Sequence, residues 1–155
     1  NSRAYQRDIR SIDNDEDLFT AVRPIRLNSA QVKSSVLRLT GANRNIGRSV
    51  DREFRFDPSI PQRDLEGTVQ QALFLMNNPT LQNKLNQSKL KKRLVKIKQP
   101  RRLLTQLYLA VLSRRPTDSE YARGRKHLRE VPDQAEAVED LLWVLVNSTE
   151  FLTKR

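Results

Sequence analysis

Asp13, Asp15 and Asp17 are the first residues whose types and spacing could do chemistry, and that chemistry would be the binding of a hard cation. They occupy the first, third and fifth places of a calcium-loop pattern. The sixth place, where the loop turns sharply and needs Gly, is Leu18, and the twelfth, where a bidentate Glu is needed, is Pro24. The run therefore reads as a solvated acidic turn able to pair with Arg23 or Arg26, and no metal ligands are assigned. His127 is the only histidine. Acid–base work requires a partner within hydrogen-bond reach. Its neighbours are Lys126 and Leu128, so it reads as a surface or half-buried structural residue. Gly41, Gly47, Gly67 and Gly124 are too scattered for a phosphate-cradling loop. The absence of Cys excludes disulfides, thiolate chemistry and zinc knuckles within the chain. No catalytic residues and no cofactor are expected, and the chain reads as a non-enzyme.

The stronger signal is electrostatic. Between Gly67 and Thr117 there is no Asp or Glu, yet the stretch holds eleven Lys and Arg residues, and the net charge of the chain is +11. Nine of them are the candidate binding set: Lys84, Lys89, Lys91, Lys92, Arg93, Lys96, Lys98, Arg101 and Arg102. A one-sign field attracts polyanions over a Debye length of about 8–10 Å. From Lys89 to Lys98 the pattern is that of a basic amphipathic helix, with Leu90, Leu94 and Ile97 on one side and Lys89, Lys92, Arg93 and Lys96 on the other. The bland reading is a solvated face on a packed helix. The functional one is a surface for an acidic partner or an acidic polysaccharide, sulfated or carboxylated. Nucleic acid ranks behind, because no sequence-reading motif is present and no aromatic residue lies between Lys84 and Arg102 for bases to stack on. A membrane surface is a minor reading, and no apolar run nears the roughly 20 residues of a transmembrane segment.

Helices must position these charges. With 37% hydrophobic and 30% charged residues in a chain of 155, the composition fits one helical domain with long solvated faces. Asn28 and Gln31 form a near capping box ahead of Val32, Val36 and Leu39, and Gly41 is a stop signal. Residues 42–63 have no sustained period and read as a long loop or excursion. A second helix is predicted over about 64–76, with Leu65, Val69, Ala72, Leu73 and Met76 inward. Asn78 and Pro79 then open a continuation through Leu81 and Leu85. A further helix spans about 101–113, with Leu104, Leu107, Tyr108, Val111 and Leu112 inward. Arg114-Arg115-Pro116-Thr117 reads as a tight corner, with an Arg bonding the last carbonyls of the preceding helix. Thr117 to Glu120 is a full capping box for the next, and the last helix opens at Asp133. The expected class is all-α, about six helices in an irregular bundle. The basic segment is 84–102, and 103–155 forms a helical hairpin module with a closing helix. Asn1 to Tyr5 echoes Asn147 to Phe151. The start without Met reads as the mark of a fragment of a larger protein.

At the corner the chain becomes recognisable. Leu107-Tyr108 through Leu112-Ser113-Arg114-Arg115-Pro116-Thr117-Asp118-Ser119-Glu120 resembles a "Leu-Tyr … Leu-Gly/Ser-Arg-x-Pro-Thr-x-x-Glu" signature. Leu141 through Asn147-Ser148-Thr149-Glu150-Phe151-Leu152 resembles the "Asn-Ser-x-Glu-Phe" ending that accompanies it. Gln71-Ala72-Leu73-Phe74-Leu75-Met76-Asn77-Asn78-Pro79, Asn1 to Gln6 and Arg26 to Gln31 look like three more. Together these resemble the C-terminal domain of unknown function of large secreted planctomycete-type proteins that often carry cytochrome-c-like segments. Residues 107–152 also bear a weaker similarity to helical repeats of phycobilisome linkers. The resemblance implies a helical, exported, non-catalytic or uncharacterised module and gives no catalytic residues to carry over. The leading expectation is an interaction or structural module partnered by other domains of its parent protein or by an acidic partner, and the alternative is polyanion binding through the basic segment 84–102. It is least matched around Arg44–Arg63 and in the basic segment.

Overall fold

The computed structural model describes residues 25–41, 44–57, 59–61 and 67–154. Asp13, Asp15, Asp17, the Asn1 echo and Leu65 lie outside them. Among the described residues there are eight α-helices, a short 3-10 turn and one two-stranded sheet. The class is all-α as expected; the helix count differs.

The chain enters through strand β1 (Ile25–Arg26) and helix α1 (Ser29–Thr40). The Asn28 side chain accepts the Gln31 backbone N–H at 2.9 Å, and the Gln31 side chain accepts the Asn28 N–H at 2.9 Å. Both orphan donors are thereby satisfied. Val32, Val36 and Leu39 are buried, and the helix stops at Gly41, whose φ of 83° is open to Gly at little cost.

The expected long loop over 42–63 is corrected by the structure: α2 occupies Arg44–Glu53. Ile46, Val50 and Phe54 recur at helical spacing and are 3%, 0% and 0% exposed, so they are core residues rather than loop ornaments. Phe54 meets Phe74 edge to face at 6.1 Å. The i, i+4, i+8 spacing is present in the sequence, but only three apolar residues carry it among many charged and amide side chains, so by itself it does not mark a stable helix. Their burial against α1 and α3 supplies the stabilisation that the segment lacks alone.

Helix α3 runs Val69–Asn77, and its orientation is a second correction. Gln71 and Leu75 are buried, whereas Val69, Leu73 and Met76 are 71%, 48% and 53% exposed. The inward face is set by an amide. The Gln71 Oε1 accepts from the Arg26 guanidinium at 2.7 Å and closes a capping box with Thr68. A polar residue with its hydrogen bonds made can be buried at little cost, which rotates the helix away from its most apolar stripe.

Helix α4 (Pro79–Asn86) starts at Asn78 and Pro79 as expected. Helix α5 (Lys89–Val95) is capped by Ser88, which accepts the Lys91 N–H at 3.1 Å. The basic helix expected to reach Lys98 ends at Val95, and α6 (Pro100–Leu112) follows. Helix α7 (Asp118–Glu130) opens with the full Thr117–Glu120 capping box, and α8 (Gln134–Val146) opens at Asp133. Helix α8 packs against α4, α5, α6 and α7 and contributes Val138, Leu142, Leu145 and Val146 to the core. Gly124 lets α7 approach α6: a Cβ there would sit 2.7 Å from the Leu104 Cδ2. A 3-10 turn (Thr149–Leu152) buries Phe151 and Leu152, and β2 (Thr153–Lys154) pairs antiparallel with β1, Arg26 opposite Thr153.

Candidate functional site

The nine candidate cations do not form one helical face. Lys89, Lys92, Arg93 and Lys96 are exposed along the outer side of α5 and its C-terminal cap, opposite the fully buried Leu94. Lys98, Arg101 and Arg102 continue the surface across the turn into the first turn of α6. Lys84 is half-buried in the last turn of α4.

Lys91 stands apart. Its side chain is 13% exposed, and its ammonium donates to the Glu139 carboxylate of α8 at 2.5 Å, where the Asn86 amide also donates. It is a strut between α5 and α8, not a free surface charge. Arg101 lies over the Tyr121 ring at 5.9 Å, and Lys98 donates to the Gln134 side chain at 3.3 Å. None of Lys89, Lys92, Arg93, Lys96, Arg101 or Arg102 is paired with a described carboxylate. A cationic residue in the first turn of a helix opposes the helix dipole. Helix α6 carries Arg101 and Arg102 there with no acidic residue and no side-chain cap.

The second polar centre is Arg114, beyond Ser113, whose φ of 58° ends α6 in the left-handed region. Its guanidinium donates to Glu120 at 2.7 and 2.7 Å and to Glu150 at 2.5 and 2.6 Å. It also lies over the Tyr108 ring at 5.5 Å. In place of the expected bond from an Arg to the last carbonyls of α6, Arg114 donates to the carbonyl of Arg115 at 3.0 Å. Those bonds hold Glu120 down at about 2 and push Arg114 further up, while burial raises the Tyr108 phenol. Both signatures that resemble a known family thus converge on one side chain. The Arg-x-Pro-Thr-x-x-Glu corner supplies the fork and one carboxylate, and the Asn-Ser-x-Glu-Phe ending supplies the other. The arrangement fixes a corner between α6, α7 and the closing turn.

His127 Nε2 lies 3.1 Å from the Asp140 carboxylate, a pair between α7 and α8. Among the described residues no group of three potential metal ligands comes together. No described helix is long and apolar enough to cross a membrane. Sequence reasoning missed the polar cleft between α4 and α8, lined by Gln82, Asn86, Glu139, Asp140 and Trp143. The α4 pair and the α8 trio are more than fifty positions apart along the chain, and nothing local marks the two groups as neighbours.

No curated protein and no solved structure matches the chain. A family model described as PSD1, protein of unknown function (DUF1553), matches residues 49–128. The matched span runs from within α2 to near the end of α7, so it includes the basic segment and the Arg114 corner. The Glu150 ending lies beyond it. Since that span is more than half of the 155 residues, the chain belongs to the PSD1 family of proteins of unknown function (DUF1553).

Proposed function

We propose that this chain is a non-catalytic interaction module of a larger exported protein, and that it docks a polyanion on the surface made by α5 and the start of α6. One observation carries the reading. Lys89, Lys92, Arg93, Lys96, Lys98, Arg101 and Arg102 are exposed on adjoining elements, in a stretch with no acidic residue to neutralise them. Packing holds the patch rigidly, through Leu94 at 0% exposure and the Lys91–Glu139 bond. A preorganised cationic surface binds without first ordering a tail. An acidic polysaccharide is the favoured polyanion, with nucleic acid behind it. The planctomycete-type secreted setting follows the sequence resemblance and belongs to the same proposal.

The test is retention on immobilised heparin across a salt gradient. A Lys89→Ala/Lys92→Ala/Arg93→Ala/Lys96→Ala variant elutes at clearly lower salt, because each lost contact removes counterion release. Unchanged elution of that variant overturns the assignment of the surface. Recovery of the parent protein only from the cytoplasmic fraction of its native source overturns the exported setting.

A further inference from the structure

The cleft between α4 and α8 lies at the edge of the basic surface; it is shallow, about 70 Å³ in volume and open to solvent, so it would take the face of a ring rather than enclose one. Buried Leu85 and Leu142 contribute apolar lining, and Trp143 is half-buried beside them. Four polar side chains complete it: Gln82, Asn86, Glu139 and Asp140. Its link to the cations is direct. Asn86 ends α4 three residues before Lys89, and Glu139 is bonded by Lys91, the neighbour of Lys92.

We propose that this cleft seats one ring of an acidic oligosaccharide whose anionic groups lie on α5; the inference rests on the polyanion reading above. A sugar ring has an apolar C–H face suited to an indole and hydroxyls that donate to carboxylates and accept from amides. The Gln82 amide is exposed, and the Asp140 carboxylate, 49% exposed, keeps acceptor capacity beyond its contact with His127. Glu139 brings no net charge into the cleft, because Lys91 compensates it. A ring in the cleft with sulfates or carboxylates toward α5 therefore uses both chemistries.

Trp143 is the only tryptophan, so its emission reports on the cleft directly. The experiment titrates the protein with a heparin-derived hexasaccharide and, separately, with a single-stranded oligonucleotide of matched charge. Trp143 emission and acrylamide quenching are followed in both. The hexasaccharide is expected to shift the emission and shield Trp143. The exposed-site change Gln82→Ala is expected to weaken hexasaccharide binding about three- to tenfold, the worth of one hydrogen bond, and to leave the oligonucleotide unaffected. Hexasaccharide binding with unaltered emission and quenching overturns the cleft while leaving the α5 surface standing. An equal or larger shift with the oligonucleotide overturns the sugar assignment. Failure to bind either ligand overturns the surface reading and the cleft with it.

Discussion

Arg114 joins three segments through one guanidinium: the end of α6, the first turn of α7 and the closing 3-10 turn. With the Arg114, Glu120 and Glu150 side chains each less than a third exposed, the fork loses little strength to water. Arg114→Ala leaves two carboxylates facing each other, and a loss of about 3 kcal/mol in urea denaturation is expected. Arg114→Lys keeps the charge without the bidentate geometry and recovers only part of it. The acid dependence has a definite sign. Glu120 titrates at about 2 when folded and near 4.5 otherwise, so the unfolded chain takes up its proton first. Its contribution, about 3 kcal/mol, is complete above pH 4.5 and is lost as the pH falls toward 2. The same titration on Arg114→Ala is expected to lose that step. Gly124→Ala places a methyl against the fully buried Leu104 and is expected to cost about 1–3 kcal/mol by overpacking, read as a lower Tm.

At the scale of elements, helices α2 and α3 show how tertiary contacts overrule periodicity. The most apolar stripe of α3, Val69, Leu73 and Met76, faces outward, while Gln71 and Leu75 face in. Leu73→Lys and Met76→Lys are therefore expected to change stability by no more than about 0.5 kcal/mol. Leu75→Lys, at 1% exposure, is expected to unfold the domain in the same assay. Equal cost at all three positions would show that the apolar stripe is the buried one. The caps behaved differently. Asn28, Asn78, Thr117 and Asp133 each stand at the start of the helix they were expected to open. Capping works within three residues of chain, so it is legible without knowledge of the fold.

For the whole molecule, the question is which cations can meet a partner. Eleven Lys and Arg residues between Gly67 and Thr117 make one block in sequence. In three dimensions Lys91 and Arg114 are withdrawn into bonds with Glu139 and Glu150, and the remaining block is split by the turn between α5 and α6. Lys91→Ala is accordingly expected to lower Tm by several degrees while shifting the heparin elution little beyond the loss of one charge. Lys92→Ala and Lys96→Ala should do the reverse. If Lys91→Ala weakens retention as much as they do without altering Tm, its role as a strut is wrong.

The all-α class, the caps and the cationic stretch were determined by the sequence alone. Each depends on residue types within a turn or two of helix, or simply on their count. The inward face of α3, the helical state of Arg44–Glu53 and the meeting of Arg114 with Glu150 were decided only by the tertiary structure. In each case the deciding partner lies far along the chain: Arg26 for Gln71, Phe74 for Phe54, and Glu150 for Arg114. A buried amide is tolerated, a sparsely apolar segment becomes a helix and a charge leaves the surface only where such a partner supplies the missing bond or contact.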